Sequence, residues 1–531
     1  MKKLLLTSAL AVITCLGLVT CFGDNVRALF GTSASALAGE TAVARRARGD
    51  ALEKKKLMNF SGDNSYGGPP SSPGFVAVAP NSTTDTRVDH LSTFAIDVDT
   101  ASYTYARRML LQGQRPEPAS VRVEEWVNAF HYALEAPKDA PFAIHVEGAP
   151  SGAGEGSVLL KVSLQGRRVA NADRKPAHLV FLVDTSGSMS GADRLPLARQ
   201  ALALLTEHLN PRDTVAIATY AGDSRVVLEP TSATNQRAIL AAIASLGAGG
   251  GTNMGSGLQL AYDMAVRQVR AGEVSRVLVL TDGDANLGTT TTAGGMLAAI
   301  KGYVDEGVTM TTVGFGLGNY KAAQLEELAD KGNGQALYVD SLDTAKKVFV
   351  DELSGTIEHI ARDVKVQVNF DPAVVSAYRL VGYENRAVAD GDFRNDSVDG
   401  GELGAGHSVT ALYELTLAPG ASSLGTVSVR GLHPDTRAPF ELTQVMTRSQ
   451  LAPNLNDAST ELRFATAVAL AADHLRGNPR SSWTLERLVE LARGAANGQA
   501  ERLEFVALLQ AAREPSRPVA AYRSQPDLSG Y

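Results

Sequence analysis

Between residues 177 and 356, short apolar runs alternate with stretches of helical periodicity. Leu179 to Val183 is apolar without a break, and Val277 to Leu280 repeats the pattern. Runs this short and this apolar fit strands buried on both faces, as in a parallel sheet. Residues 214–220, 225–228, 309–313 and 336–339 read as further strands. Helices are predicted over 236–246, 255–269, 294–304 and 321–329. Another opens near Pro196, spaces Leu197, Ala201, Leu202, Leu205 and Leu209 along one face, and stops at Asn210-Pro211. Strands alternating with helices imply an α/β domain, a doubly wound and mostly parallel sheet with helices on both faces.

The flanks read differently. Phe94 to Val98 alternates like a strand, and Asp99 or Thr100 is placed to cap a helix running to Leu111 and closed by Gly113. A second helix with Trp126 is predicted over 120–132, then strands over 142–147 and 157–165. From residue 363 the pattern is all strand: 364–370, 375–383, 408–417, 425–429 and 440–446. The strands before 177 find no partners of their own there. The economical solution is one β-sandwich built from both flanks, 87–176 and 357–450, with the α/β domain inserted into it. Chain ends of compact domains lie close together, which permits such insertions. Residues 459–514 form a small C-terminal helical segment. Its first helix sets Leu462, Ala465, Val468, Ala472 and Leu475 on one face, and helices over 484–493 and 501–513 follow. Residues 515–531, with Pro515, Pro518 and Pro526, read as a loose tail.

Candidate chemistry lies where the apolar strands end. Asp184, Ser186 and Ser188 alternate after Val183, so a nearly extended loop sends their oxygens the same way. Gly187 allows that loop to curl. One carboxylate and two hydroxyls suit a hard cation such as Mg²⁺, which takes oxygen ligands at about 2.1 Å and keeps some of its waters. Thr252 follows Gly249-Gly250-Gly251, and Asp282 ends the strand that contains Val277 to Leu280. In an open α/β sheet, ligands bind outside the carboxyl ends of the strands. The same residue types also favour turns; their order on these elements is what points to a metal.

Asp184-x-Ser186-x-Ser188 with the distant Thr252 and Asp282 resembles the von Willebrand factor type A domain and its metal-ion-dependent adhesion site. TFAIDVDTASY (93–103), VRVEEWVNAF (121–130), GFGLGNYK (314–321), LADKGNG (328–334), YRLVGYENR (378–386) and GAGHSVTALYEL (404–415) resemble the bacterial YfbK-type von Willebrand A lipoproteins over residues 85 to 515. The resemblance implies a Rossmann-like domain over 177–356. It implies that Ser186, Ser188 and, in the ligand-bound state, Thr252 coordinate Mg²⁺ directly, with Mn²⁺ or Ca²⁺ as alternatives. Asp184 and Asp282 would mostly hold its waters. The remaining position would take an Asp or Glu carboxylate from an unidentified protein partner, which is binding and not catalysis.

Composition narrows the setting. A length of 531 residues suggests about three domains. The net charge of −7 is a poor match for nucleic acid, which needs a basic face. Cys15 and Cys21 are the only cysteines, so the folded body holds no disulfide and no thiolate metal site. Lys2-Lys3 before the apolar stretch Leu4 to Val19 reads as an export signal. Leu18-Val19-Thr20-Cys21 resembles a lipobox over residues 1–21, making Cys21 a lipidation site and membrane anchor, although Thr20 departs from the usual small residue. Two alternatives stand: an uncut membrane span from Leu4 to Phe22, or cleavage after Ala34-Ser35-Ala36. Residues 22–86 have the composition of a flexible tether.

Enzyme signatures fail at single positions. Met189 stands where a nucleophile elbow needs Ser, and Asn319 where a dinucleotide loop needs its last Gly. The acidic loop Asp390, Asp392, Asp396, Asp399 and Glu402 breaks calcium-loop spacing at Arg394 and reads as a solvated hairpin connection; His407 reads as structural. The expectation is an exported, lipid-anchored, non-enzymatic protein of the cell envelope, at the outer membrane or periplasmic face. The alternatives are a metal-assisted hydrolase, with Asp284 as the nearby extra acid, and a metal-independent structural scaffold.

Overall fold

The computed structural model of the protein describes residues 77–283, 292–316, 322–419, 422–478 and 483–513. All fall within the unit Tyr66–Tyr531. The segment with Cys21, most of the tether, Asp284, Asn319 and the tail from 515 lie outside the described residues.

The chain opens with β1 (Thr84–Asp85), β2 (Leu91–Ala95), α1 (Ala101–Leu111), α2 (Val123–Asn128), β3 (Phe142–Pro150) and β4 (Ser157–Gly166). The α/β region follows with β5 (Ala177–Asp184), α3 (Leu195–Glu207), β6 (Thr214–Tyr220), β7 (Ser224–Ser232), α4 (Gln236–Ala244) and α5 (Met254–Val266). It continues through β8 (Val274–Thr281), α6 (Ala293–Asp305), β9 (Thr309–Gly314), α7 (Ala322–Lys331), β10 (Ala336–Tyr338), α8 (Leu342–Lys346) and α9 (Leu353–Ile357). Then come β11 (His359–Phe370), β12 (Val375–Val381), β13 (Gly401–Gly404), β14 (Ser408–Leu417), β15 (Ser423–Leu432) and β16 (Pro439–Thr447). Three helices close the described chain: α10 (Thr460–Leu475), α11 (Leu485–Gly494) and α12 (Ala500–Arg513).

The central sheet runs β10-β9-β8-β5-β6-β7, parallel except for the antiparallel edge strand β7. The apolar run of β5 divides at period two, as a strand buried on both faces must. Leu179, Phe181 and Val183 pack with Leu202 and Leu205 of α3, Ile239 of α4 and Ile357 of α9. Val180 and Leu182 pack on the other face with Leu258 of α5, Ile300 of α6 and Leu328 of α7. The mixed α/β expectation is met. Strand β7 runs longer than its apolar stretch because, at the edge and largely solvated, it needs few apolar residues.

The flanking strands form two antiparallel sheets. One runs β1-β12-β14-β4-β3; the other runs β13-β11-β15-β16, with β2 also on β11. Strands from before and after the α/β region pair directly: Val162 of β4 faces Ala411 of β14, and Phe94 of β2 faces Val366 of β11. Side chains from both sheets meet in one apolar cluster that includes Leu164, Val368, Tyr413 and Val427. Strand β13 was not legible, because its Gly-Glu-Leu-Gly lies inside the acidic loop. The aspartates of that loop stay exposed or half-buried, and its end at Glu402 turns inward. Asp396 pairs with Arg430 at 2.8 Å, Asp399 pairs with Lys331 of α7 at 2.7 Å, and Glu402 is buried.

Helices α1 and α2 share a core with α10, α11 and α12. Phe130 makes edge-on ring contacts with Tyr103 at 4.9 Å, Phe464 at 5.0 Å and Phe505 at 5.3 Å. Helix α10 is buried on all sides from Phe464 to Asp473, not on one face. Its alanines hide this in the sequence, since small residues leave little periodic contrast.

The cap reading at α1 needs correction. Thr100 is the N-cap but makes no side-chain capping bond. Asp99 instead accepts a bond from Ala336 N at 2.8 Å and pairs with Arg386 at 3.3 Å. Arg386 also pairs with Asp97 at 3.1 Å and with Asp330 of α7 at 2.7 Å. One guanidinium therefore ties β2, α1 and the loop after β12 to the helical face of the α/β region.

Candidate metal centre at the edge of the central sheet

Register alone brings the strand-end residues together. Asp184 of β5 stands opposite Tyr220 of β6; Val183 stands opposite Leu280 of β8, one residue before Thr281. Asp184 and Asp282 thus leave the same carboxyl edge on neighbouring strands, and both are fully buried.

Past Asp184 the chain does not stay extended. Gly187–Ser190 makes a short 3-10 turn, and Met189 is buried beneath it. The turn brings the Ser186 and Ser188 hydroxyls to 2.9 Å. Gly187 is not there for an unusual φ; its N–H donates to Gly250 O at 3.0 Å. Gly249 N in turn donates to Thr185 O at 2.8 Å. Two backbone bonds therefore lace the glycine loop to the serine loop and bring Thr252, itself buried, to the same edge.

Asp184 is held from two sides. Ser186 N–H donates to Oδ1 and the Thr281 hydroxyl to Oδ2, both at 2.8 Å. Burial pushes its carboxyl up to about 6, against the pull of those bonds and with a further push from Asp282. A cation nearby acts the other way and keeps such a carboxylate ionised. The Tyr220 phenol, buried against Asp184 and Thr281, is driven well above its ordinary range by burial first and by the Asp184 charge second. Asp282 accepts a bond from Arg194 Nη1 at 3.0 Å, and Arg194 also donates to the Ser188 carbonyl.

The donor set is oxygen alone: two carboxylates, two converging hydroxyls and the nearby Thr252. That fits a hard divalent ion held through few direct protein ligands. Among the described residues no group of three or more His, Cys, Asp and Glu is arranged to hold a metal elsewhere. The sequence reading missed Thr281, Arg194 and Tyr220. Thr281 could have been noticed beside Asp282. Arg194 sits in the loop before Pro196, at a spacing no motif rule singles out.

Comparison with known proteins agrees with this architecture. The von Willebrand factor type A domain model matches residues 178–351, a von Willebrand factor model matches 70–161, and the model of the YfbK C-terminal region matches 355–423 and 417–514. The fold and this match define a von Willebrand A protein, a class whose domain mediates protein–protein interaction. A protein of Escherichia coli K12, described as "Uncharacterized protein YfbK", is 39% identical over 449 residues, covering 80% of this chain and 78% of the relative. The chain belongs to the YfbK family of von Willebrand A proteins. Human inter-alpha-trypsin inhibitor heavy chain H4 is 32% identical over 173 residues, 30% of this chain and 18% of that protein. Among solved structures, a von Willebrand factor type A protein from Catenulispora acidiphila aligns with 69% of this chain and 89% of its own, at 17% identity and a TM-score of 0.41.

Proposed function

We propose that this is an exported, membrane-tethered protein that captures a protein partner through a Mg²⁺-dependent adhesion site made of Asp184, Ser186, Ser188, Thr252 and Asp282. The observation that carries the reading is the 2.9 Å approach of the Ser186 and Ser188 hydroxyls beside two fully buried carboxylates. Ser186 and Ser188 would hold the ion directly, Asp184 and Asp282 through its waters, and Thr252 in the ligand-bound state. Mn²⁺ or Ca²⁺ satisfies the same donors. The ion supplies a Lewis acid for an Asp or Glu carboxylate of the partner; the protein residues fix its position and take no part in bond cleavage. The setting is adhesion or assembly at the cell envelope.

The scaffold belongs to the same proposal. We read the two antiparallel sheets as one sandwich into which the α/β domain is inserted, supported by the β4–β14 and β2–β11 pairings. Arg386 and the helices α1 and α2 then hold the adhesive domain in a fixed pose.

Thr252→Ala is expected to weaken partner capture more than metal binding. Calorimetry with Mn²⁺, followed by pull-down from the native envelope with Mg²⁺ or chelator, separates the two. Equal capture in Mg²⁺ and in chelator would favour a metal-independent scaffold. Anchoring rests on Leu18 to Cys21 and on the likeness to YfbK-type lipoproteins. The intact mass of the mature protein is expected to show a chain that begins at lipidated Cys21. An uncut Met1 or a start near Leu37 would refute it.

A further inference from the structure

We propose that Arg194 is a tethered counter-cation of this centre, competing with the divalent ion for Asp282 and so setting how tightly the ion is held. The inference rests on the metal reading above and deepens it. Arg194 Nη1 donates to Asp282 Oδ2 at 3.0 Å and to the Ser188 carbonyl, so one side chain bridges both loops of the site. Asp282 is fully buried, and the Arg194 side chain is only 18% exposed. A guanidinium does not deprotonate in proteins. A permanent positive charge therefore sits on one of the two carboxylates in the donor set.

The placement is built into the fold. Arg194 N donates to Gly191 O at 3.1 Å. The neighbouring Asp193 is gripped by Arg108 of α1. The side chain lies across Gly316, where an added Cβ would come within 2.5 Å of Nε. Gly316 also has φ +72, a conformation that suits glycine. The glycine two residues past β9 thus provides the bed for this arginine.

A divalent ion at this edge is attracted by Asp184 and Asp282 and repelled by Arg194. The arginine weakens the hold on the ion. It also neutralises part of the carboxylate charge around it, which leaves a bound ion with greater demand for an acidic ligand. Loosely held and electron-poor is the combination that suits an ion recognising a carboxylate from outside.

The test uses the full-length protein titrated with MnCl₂ by calorimetry, with melting curves in chelator and in Mn²⁺. Arg194→Gln is expected to bind Mn²⁺ about tenfold tighter, the scale set by one partly screened unit charge at close range. Arg194→Lys keeps the charge and should stay close to the unmodified protein. In chelator Arg194→Gln should melt below the unmodified protein, because the buried Asp282 loses the compensating charge of the guanidinium, and Mn²⁺ should restore more of its stability. Should Arg194→Gln not fold, Arg194→Met carries the same expectation. Unchanged or weaker Mn²⁺ binding by the neutral variants, with the unmodified protein binding normally, would overturn the competition and make Arg194 a positioning residue for Asp282. Absence of Mn²⁺ binding in every form would instead remove the metal centre itself, and this inference with it.

Discussion

Asp184→Ala is expected to abolish Mg²⁺ and Mn²⁺ binding, and partner capture with it. The carboxylate is the acceptor at the head of the site, aimed by the Ser186 N–H and the Thr281 hydroxyl at 2.8 Å each. Removing it leaves both donors without that acceptor, at a cost of about 1–3 kcal/mol for each that stays buried and unpaired. The same change relieves the protein of a buried carboxylate whose ionisation burial already opposes. The terms have opposite sign, so the fold should survive with a modest shift in melting temperature. Asp184→Asn keeps an acceptor for Ser186 N–H but removes the charge. It should lose the ion while melting closer to the unmodified protein. Calorimetry with Mn²⁺, circular dichroism and a pull-down for each variant separate loss of the site from loss of the fold. Full partner capture by the Asp184 variant in chelator would show that metal-dependent capture is wrong.

The centre of the molecule was legible because its physics is local. An apolar run buried on both faces ends where the sheet ends, so Asp184 and Asp282 announce their own place at the edge. The way the serines converge was not legible in the same detail. Period-two alternation put their oxygens on one side of an extended loop, whereas the chain makes a 3-10 turn over Gly187–Ser190 and brings the hydroxyls together by curling. Arg194 and Thr281 escaped because their roles exist only once β8 and the loop before α3 are side by side. The same holds for the flanks. Asp97 and Asp99, Asp330, and Arg386 belong to three separate sequence motifs, and only the fold shows them as one ion network. The packing of α2 against α10 was hidden for another reason: alanines supply burial without periodic contrast.

The other large effect concerns the strands contributed from both sides of the α/β region. Strand β14 lies between β4 and β12, and β11 lies between β2 and β15. In a fragment spanning 364–450, β14 loses β4 and β11 loses β2. Each then presents a row of unpaired backbone groups, the feature that templates aggregation. The shared cluster also loses Phe94, Val162 and Leu164, each buried in the whole protein. Full burial of such a side chain is worth about 1.5–3 kcal/mol, so removing several together exceeds any margin a fragment this size holds. It should be insoluble or an unfolded oligomer. The reciprocal fragment, 172–358, keeps the central sheet with the helices on both its faces, and it keeps the buried Arg174–Asp213 pair at 2.5 Å. It loses the Asp99 bond to Ala336 N, the grip of Arg108 on Asp193 and the packing of Ala101 and Tyr105 of α1, so some stability goes, but the rest of its core stays in place. It should be soluble, melt cooperatively and bind Mn²⁺. Size-exclusion chromatography and thermal melts of the two fragments decide between the readings: a stable monomer from 364–450 would mean that the sheets do not depend on the first flank and that the α/β domain is not inserted into a shared sandwich.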